Sequence, residues 1–188
     1  MFKLQIVEAE DPALTREVRA LLRDYFLWLN RRYIAEMSIL DAHYDVNERE
    51  SELADLRGHY GAPHGGILLA LVNGVAAGCV MFRGVGEDVC EMKRLFVRPA
   101  FQGKGVARAL ICKLAHLAAE RGYETIRLET GSRQFEAQAL YRDIGFQRIA
   151  PYHEVTGWIK DNMLFFEARA RKVECYPARL REPERIAA

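Results

Sequence analysis

The chain has 188 residues, of which half are apolar and 28% are charged, and its formal net charge is +1. This length suits one well-packed domain, and the composition is that of a globular rather than a disordered protein. The near-neutral charge gives no reason to expect nucleic acid as a partner. No apolar run approaches the roughly 20 residues that a membrane helix needs, and the first residues, MFKLQIVEAEDPA, lack the apolar core of a signal peptide. We therefore expect a cytoplasmic protein without a membrane partner.

The cysteines and histidines show no metal-binding spacing. There are four cysteines without a C-x-x-C pair, namely Cys79, Cys90, Cys112 and Cys175. Three of them lie in apolar segments, which predicts buried thiols rather than disulfides or a zinc site. The five histidines are scattered and form no H-E-x-x-H motif. We expect no metal.

The first third of the chain predicts one strand followed by two helices. KLQIVEA, residues 3–9, has the pattern of a strand. Asp11 and Pro12 open a helix whose apolar residues recur at helical spacing to about Asn30. The more polar segment 45–58 predicts a second, solvated helix that ends at Gly58, followed by a loop over 59–66.

The middle of the chain predicts an antiparallel meander. Two apolar runs flank Asn73 and Gly74, and this dipeptide is the strongest short signal for a hairpin. A second turn at residues 84–87 leads into a third strand over 89–97. The strand is followed at once by a loop with two glycines.

The remaining elements complete an α+β fold. A helix runs from Val106 to Gly122, a strand covers 125–130, and a short helix runs from Ser132, as N-cap, to Gly145. FQRI and NMLFFEA predict two closing strands. The order β-α-α-β-β-β-α-β-α-β-β predicts a mixed sheet between helices, as one domain over residues 1–168. Residues 169–188 are charged and contain proline, which predicts an appended tail.

The glycine loop fails two phosphate-binding patterns and fits a third. A Walker A loop requires Ser or Thr after the lysine, but Lys104 is followed by Gly105. A dinucleotide fingerprint requires a third glycine where Arg108 stands, and it should lie in a parallel βαβ unit. A dehydrogenase is therefore disfavoured. The third pattern, [Q/R]-x-x-G-x-[G/A], is matched by QGKGVA at 102–107.

Together with EMKRLFVRP upstream and ALYRDIGF downstream, this loop resembles the GCN5-related N-acetyltransferases over roughly residues 2–168. The resemblance implies a mostly antiparallel sheet with helices on both faces, and acetyl-coenzyme A as co-substrate. It implies that the pyrophosphate lies on the first turn of the helix, where unpaired N–H groups and the helix dipole favour an anion. The implied contacts are Gln102, Gly103, Lys104, Gly105, Val106, Ala107 and Arg108, although Lys104 and Arg108 are equally compatible with ordinary solvated charges.

The same resemblance assigns roles to strand 89–97, which should diverge from the next strand. Backbone groups near Phe96 and Val97 would hold the pantetheine arm, and the N–H near Leu95 would polarise the acetyl carbonyl. Tyr141 would donate a proton to the departing thiolate, since a phenol is protonated at neutral pH. A purely structural tyrosine packed on an apolar helix face remains the alternative.

The resemblance also makes Glu91 the candidate general base, because some members of the family carry a glutamate in that role six residues before the position of Val97. In a regular strand, residues 91, 93, 95 and 97 share one face, but a bulge would break that alternation. A carboxylate paired with Lys93 or Arg94 is an equal alternative, and the proton could instead pass through ordered water.

The acceptor is not readable from the sequence. Candidates for its site are Tyr25, Trp28, Tyr33, Glu36, Tyr152, His153 and Trp158, with Glu154 nearby. For any one of them, packing in the core or on the surface is the favoured alternative. An aromatic rim with nearby glutamates would suit a small cationic amine. We predict direct acetyl transfer to a primary amine, with a small molecule favoured over a protein, and a homodimer is compatible with the resemblance. The alternative function is a non-catalytic acyl-coenzyme A sensor or assembly subunit.

Overall fold

The computed structural model describes residues 2–33 and 46–175. In chain order the helices and strands are β1 (Leu4–Glu8), α1 (Pro12–Arg32), α2 (Val46–Ala54), α3 (Leu56–Tyr60), β2 (Gly65–Val72), β3 (Val75–Gly84), β4 (Val89–Val97), α4 (Val106–Glu120), β5 (Thr125–Gly131), α5 (Phe135–Asp143), β6 (Gln147–Ile149), α6 (Gly157–Asn162) and β7 (Met163–Arg169). Within the described chain, the strands form a seven-stranded sheet in the order β1-β2-β3-β4-β5-β7-β6. Only the β4–β5 pair is parallel. The predicted α+β class and the mostly antiparallel sheet are confirmed.

Helices cover both faces of the sheet, and strand alternation divides the core between them. On β2, Leu68 and Ala70 pack with the α4 side of the molecule, whereas Ile67 and Leu69 pack with the α1 side. This is the period of two that a strand buried on both faces shows. The sheet thus lies between two apolar clusters, one on each of its faces.

A β-bulge interrupts β4 at the point where the candidate site begins. Cys79 pairs with Phe96 and Met81 pairs with Lys93, so Arg94 and Leu95 both lie opposite Val80. Arg94 adopts φ = 58°, a left-handed conformation that costs a residue with a side chain about 1–3 kcal/mol. Because of this extra residue, Cys90 and Met92 share the α4 face with Leu95 and Val97. Residues 91, 93, 95 and 97 therefore do not share one face, as expected for a strand that contains a bulge.

The start of α1 agrees with the sequence prediction, whereas the predicted end at Gly58 and the predicted start at Ser132 do not. Asp11 caps α1 as expected, accepting a hydrogen bond from the Ala13 N–H at 2.6 Å. Gly58 does not stop a helix, because Asp55 caps α3 by accepting from the Gly58 N–H at 2.8 Å. Ser132 is not an N-cap, since α5 begins only at Phe135.

Helix α6 escaped prediction altogether. It has six residues, too few to display an apolar period.

The segment after β7 folds back onto α4. Ala170 and Val173 are buried in the core on that side. Cys175 forms a disulfide with Cys112 of α4, with their Cα atoms 5.5 Å apart. The expectation of four free thiols is therefore wrong for this pair, because sequence spacing does not reveal which cysteines meet in space. Cys79 and Cys90 are buried free thiols, as expected.

Candidate active site

Strands β4 and β5 separate soon after they meet. Their parallel pairing covers Val89–Thr125, Cys90–Ile126 and Glu91–Arg127, yet β4 continues to Val97. Beyond Glu91 the two strands form opposite walls of a cleft. The backbone groups of β4 that would pair with a neighbouring strand on this side have no β5 partner there. Unpaired strand groups of this kind are available to an extended ligand.

The cleft is lined by residues of α1, α2, β4, β5, α5, α6 and β7. These are Tyr25, Phe26, Leu29, Tyr33, Arg49, Met92, Lys93, Arg94, Leu95, Glu129, Thr130, Gly131, Gln134, Tyr141, Trp158 and Met163. The mixture of aromatic walls with a few charged groups is typical of a small-ligand site.

The glycine loop leads into α4 with a backbone suited to an anion. Gly103 and Gly105 have φ of 71° and 79°, a region in which other residues are strained. The N–H of Ala109 donates to the Gly105 carbonyl at 3.0 Å. The N–H groups of residues 106–108 therefore precede the first helical hydrogen bond and have no partner within the helix. A pyrophosphate fits this arrangement, because both the N–H groups and the helix dipole favour negative charge.

The polar side chains of the loop are engaged in holding the loop itself. Gln102 donates to the Val97 carbonyl at 2.9 Å, and Lys104 donates to the Ala100 carbonyl at 2.9 Å. Arg108 pairs with Asp143 and donates to the Glu174 carbonyl at 3.3 Å. Gln102 thus joins the end of β4 to the loop, and Arg108 joins α4 to α5 and to the segment after β7.

Tyr141 lies in the cleft wall and is only 5% exposed. Its ring packs against Phe146 and Phe166, with centroids 5.9 and 6.0 Å away. Burial raises the pKa of Tyr141 above its ordinary value, so the phenol stays protonated. No group in residues 2–33 or 46–175 forms a hydrogen bond with its hydroxyl. The position is compatible with both the acid role and the packing role.

Glu91 does not line the cleft and is only 3% exposed. Its carboxylate accepts a hydrogen bond from the Tyr152 hydroxyl at 2.7 Å, and it pairs with Arg83 at 3.1 Å and Lys93 at 3.3 Å. These three partners tie β3, β4 and the segment after β6 together. A direct approach of an amine to Glu91 would have to displace one of them.

Glu129 of β5 is a cleft carboxylate that sequence reasoning missed. It pairs with Lys93 at 2.9 Å and with the His153 ring at 3.2 Å. Burial favours its neutral form, but Lys93 and His153 outweigh burial and lower the pKa of Glu129. TIRLET predicted the strand correctly, yet no local pattern shows that its glutamate faces a cleft.

Arg94 is the second group that sequence reasoning missed as a site residue. Its guanidinium pairs bidentately with Glu52 of α2, with Nε–Oε1 and Nη2–Oε2 distances of 2.8 and 2.6 Å. The Tyr60 hydroxyl donates to the same carboxylate at 2.7 Å. Glu52 is 42 positions away from Arg94 and stands in a polar helix, so the sequence offered no signal for this cluster.

The acceptor candidates divide between the cleft and its surroundings. Tyr25, Tyr33 and Trp158 line the cleft. Trp28 lies outside the lining, beneath the Arg32 guanidinium at 5.1 Å. Tyr152, His153 and Glu154 also lie outside it, and Glu36 is outside the described residues.

The described residues contain neither a metal-binding cluster nor a membrane-spanning helix. No group of three or more His, Cys, Asp or Glu side chains there could hold a metal ion. No helix among them is long and apolar enough to cross a membrane.

Comparisons with known proteins identify the family. Residues 19–146 match the model of the acetyltransferase (GNAT) family. An uncharacterized N-acetyltransferase of Schizosaccharomyces pombe is 33% identical over 132 residues, covering 69% of this chain and 79% of the relative. The N-acetylaspartate synthetase of Xenopus tropicalis is 31% identical over 160 residues, covering 82% of this chain but only 58% of that protein. The chain belongs to the GNAT family and is an acetyl-coenzyme A-dependent acyltransferase.

Solved structures show the same fold. A GNAT acetyltransferase of Staphylococcus aureus Mu50 superimposes with a TM-score of 0.65 at 16% identity, covering 89% of this chain and 99% of that one. The PaiA N-acetyltransferase of Thermoplasma acidophilum, solved in complex with coenzyme A, gives 0.60 at 15% identity over 90% and 99%. At these identities the likeness establishes the architecture alone.

Proposed function

We propose that this protein transfers the acetyl group of acetyl-coenzyme A directly to a primary amine of a small molecule. The observation that carries the proposal is the separation of β4 and β5 after Glu91, which brings Leu95 and Tyr141 into one cleft. Cys90 and Cys112 are unsuited to a covalent acyl-enzyme. Burial raises the pKa of Cys90 to about 12, and Cys112 is in a disulfide.

Acetyl-coenzyme A fits the described backbone, and the chain's own groups would hold it at two places. The N–H groups of residues 106–108, with the left-handed Gly103 and Gly105, would bind the pyrophosphate. Backbone groups of Phe96 and Val97 would bind the pantetheine arm. The Val97 carbonyl already accepts from Gln102, so we assign Gln102 to positioning this strand end. Lys104 and Arg108 would add positive charge near the phosphates while they hold the loop.

Acetyl transfer needs a donor to the acetyl oxygen and an acid for the thiolate, and the cleft offers one group for each, on β4 and on α5. The substrate supplies an activated thioester, and the Leu95 N–H would stabilise the negative charge that develops on the acetyl oxygen. Tyr141 would donate its proton to the departing thiolate, since its raised pKa keeps the phenol protonated across the neutral range.

The acceptor amine must lose protons before and during the transfer. As a base, Glu91 would act through a water molecule, because its carboxylate lies outside the cleft wall and is bonded to three side chains. We therefore propose a water-mediated path toward Glu91 rather than direct contact with the amine.

The cleft supports a small acceptor. Aromatic rings from both α1 and α6 form its rim, with Tyr33 and Trp158 in edge contact at 5.8 Å. One relative is named for the synthesis of N-acetylaspartate, a small N-acetylated amino acid. From these rings and that relative we infer a small-molecule acceptor rather than a protein.

Release of free thiol from acetyl-coenzyme A in the presence of an amine panel tests the proposal. Turnover with at least one small amine is expected, and Tyr141→Phe should reduce it. Tight coenzyme binding without turnover of any amine would contradict the enzyme and favour the acyl-coenzyme A sensor. A homodimer and a cytoplasmic location remain predictions, which light scattering and cell fractionation can test.

A further inference from the structure

The side chain of Arg94 is fixed in place at the edge of the cleft. The bulge in β4 places it there with φ = 58°, and its guanidinium pairs with both oxygens of Glu52. The Phe26 ring lies 5.4 Å from the guanidinium carbon, within range of a cation–π contact. The arginine is therefore pre-organised before any ligand arrives.

Burial and pairing keep both members of this pair charged. Burial disfavours the charged guanidinium, but the Glu52 hydrogen bonds outweigh it and raise the pKa of Arg94. Burial likewise opposes the Glu52 carboxylate, and the Arg94 hydrogen bonds outweigh it and lower the pKa of Glu52. The Tyr60 hydroxyl further fixes the carboxylate by donating to its Oε1.

Arg94 retains hydrogen-bond donors for the cleft. A guanidinium has five N–H donors, and Glu52 engages only Nε and Nη2. Arg94 lines the cleft with its side chain 18% exposed. Its Nη1 forms no hydrogen bond with a described residue, so its donors are open to a ligand that enters the cleft.

The charged groups of the described lining offer a cationic acceptor no unpaired carboxylate. They are Arg49, Lys93, Arg94 and Glu129, and among them Lys93 is paired with Glu129 and Arg94 with Glu52 of α2. The Glu129 carboxylate is already bonded to Lys93 and His153. A polyamine would thus meet no available carboxylate on the described walls, whereas a carboxylate would meet an available guanidinium edge.

We propose that Arg94 binds a carboxylate of the acceptor, so that the acceptor is an α-amino acid or a similar amine with a nearby carboxylate. This inference rests on the proposed acetyltransferase function. Arg94 immediately precedes Leu95, whose N–H is assigned to the acetyl oxygen, and both residues line the same cleft. Glu52 is a positioning residue for the guanidinium.

The first experiment compares each proteinogenic amino acid with its C-terminal amide as acceptor for the wild-type protein. A charge-assisted hydrogen bond is worth enough to separate the two by about tenfold to a hundredfold in kcat/KM. Preference for the acid in at least one pair is expected. Equal or better turnover of the amide in every productive pair would overturn the proposal.

Variants then assign the preference to Arg94. Arg94→Met should remove the preference for the acid, chiefly by raising KM, while acetyl-coenzyme A affinity stays within about twofold of wild type. Arg94→Lys should show little more preference for the acid than Arg94→Met, because an ammonium lacks the planar fork of hydrogen-bond donors that a guanidinium presents to a carboxylate. The matched control is Arg169→Met, which removes an arginine that pairs with Glu124 outside the cleft lining and should keep the preference. An unchanged preference in Arg94→Met would overturn the assignment.

Two further measurements test the carboxylate site if Arg94→Met does not fold or if no amine is turned over. Arg94→Met leaves Glu52 buried without its cation, so the double variant Glu52→Gln/Arg94→Met provides a better-tolerated test of the same loss. If no amine is turned over, the proposed function fails, and calorimetry on the coenzyme A-loaded protein tests the carboxylate site separately. Binding of N-acetylated amino acids but not of their amides would support the site, and binding of neither would overturn it.

Discussion

Replacing Gly103 with alanine separates the coenzyme-binding role of the loop from its folding role. Gly103 has φ = 71°, and a Cβ built there has no atom within 4 Å. The substitution therefore causes no clash within the protein, only the conformational strain of a left-handed residue, about 1–2 kcal/mol. A pyrophosphate held by this backbone requires close approach, which the added methyl group and any strain-relieving shift of the loop would oppose. We expect acetyl-coenzyme A affinity to fall at least about tenfold, which corresponds to about 1.4 kcal/mol.

The chain offers a matched control in Gly74. It has φ = 82° and likewise no atom within 4 Å of a built Cβ, but it lies in the β2–β3 hairpin turn. Gly74→Ala should therefore lower the free energy of unfolding about as much as Gly103→Ala and leave coenzyme affinity unchanged. Urea denaturation measures the first quantity and titration calorimetry the second. Equal coenzyme affinity in the two variants would refute the assignment of the loop to the pyrophosphate.

Further substitutions test the other parts of the argument. Tyr141→Phe should reduce kcat by about a hundredfold or more while coenzyme affinity is kept, since general acid catalysis contributes at that level; an unchanged kcat would leave Tyr141 a packing residue. Because burial raises its pKa, wild-type activity should show no loss near pH 10 from ionisation of Tyr141, which a pH–rate profile measures. Glu52→Gln should lower the free energy of unfolding at pH 7 by about 3 kcal/mol, because it leaves Arg94 buried without its partner charge. The folded-state pKa of Glu52 is lowered from 4.5, so the stabilisation by its carboxylate is present above about that pH and is lost as the pH falls through the folded value. Urea denaturation should therefore show a smaller difference in unfolding free energy between wild type and Glu52→Gln at pH 3 than at pH 7. An equal difference at both pH values would contradict the pairing. Denatured without reductant, the protein should titrate two thiols, Cys79 and Cys90, and four would contradict the Cys112–Cys175 bond.

Local signals predicted most of the fold. Asn73 and Gly74 fixed the hairpin, and the boundaries of the strand over 89–97 agree with β4. These features depend on neighbours in sequence: turn chemistry, strand alternation and helical period. The short helix α6 and the start of α5 depended on weak or misleading local cues, such as Ser132 as an N-cap.

The sequence predicted the part of the candidate site that would bind acetyl-coenzyme A, but not the part that would bind the amine acceptor. QGKGVA and the strand before it form one continuous stretch, so the loop and β4 could be recognised together. The pairs Arg94–Glu52 and Lys93–Glu129 span 42 and 36 positions, and no residue pattern announces contacts at such separations. The bulge at Arg94 also reversed the alternation that had placed Glu91 with Leu95. A single inserted residue in a strand moves every later side chain to the other face.

The three-pair junction between β4 and β5 has a mechanical consequence. It joins a four-stranded half, β1 to β4, to a three-stranded half made of β5, β7 and β6. Interstrand hydrogen bonds thus connect the two halves only at the Val89–Glu91 end of β4, and the strands are separated beyond it. A ligand that bridges the open end would act as a substitute strand, and it would stabilise the folded protein in proportion to the logarithm of its concentration. We expect amide hydrogen exchange over residues 92–97 to slow when acetyl-coenzyme A is added. The reason is that the bound ligand would form hydrogen bonds with backbone groups of β4 that have no β5 partner.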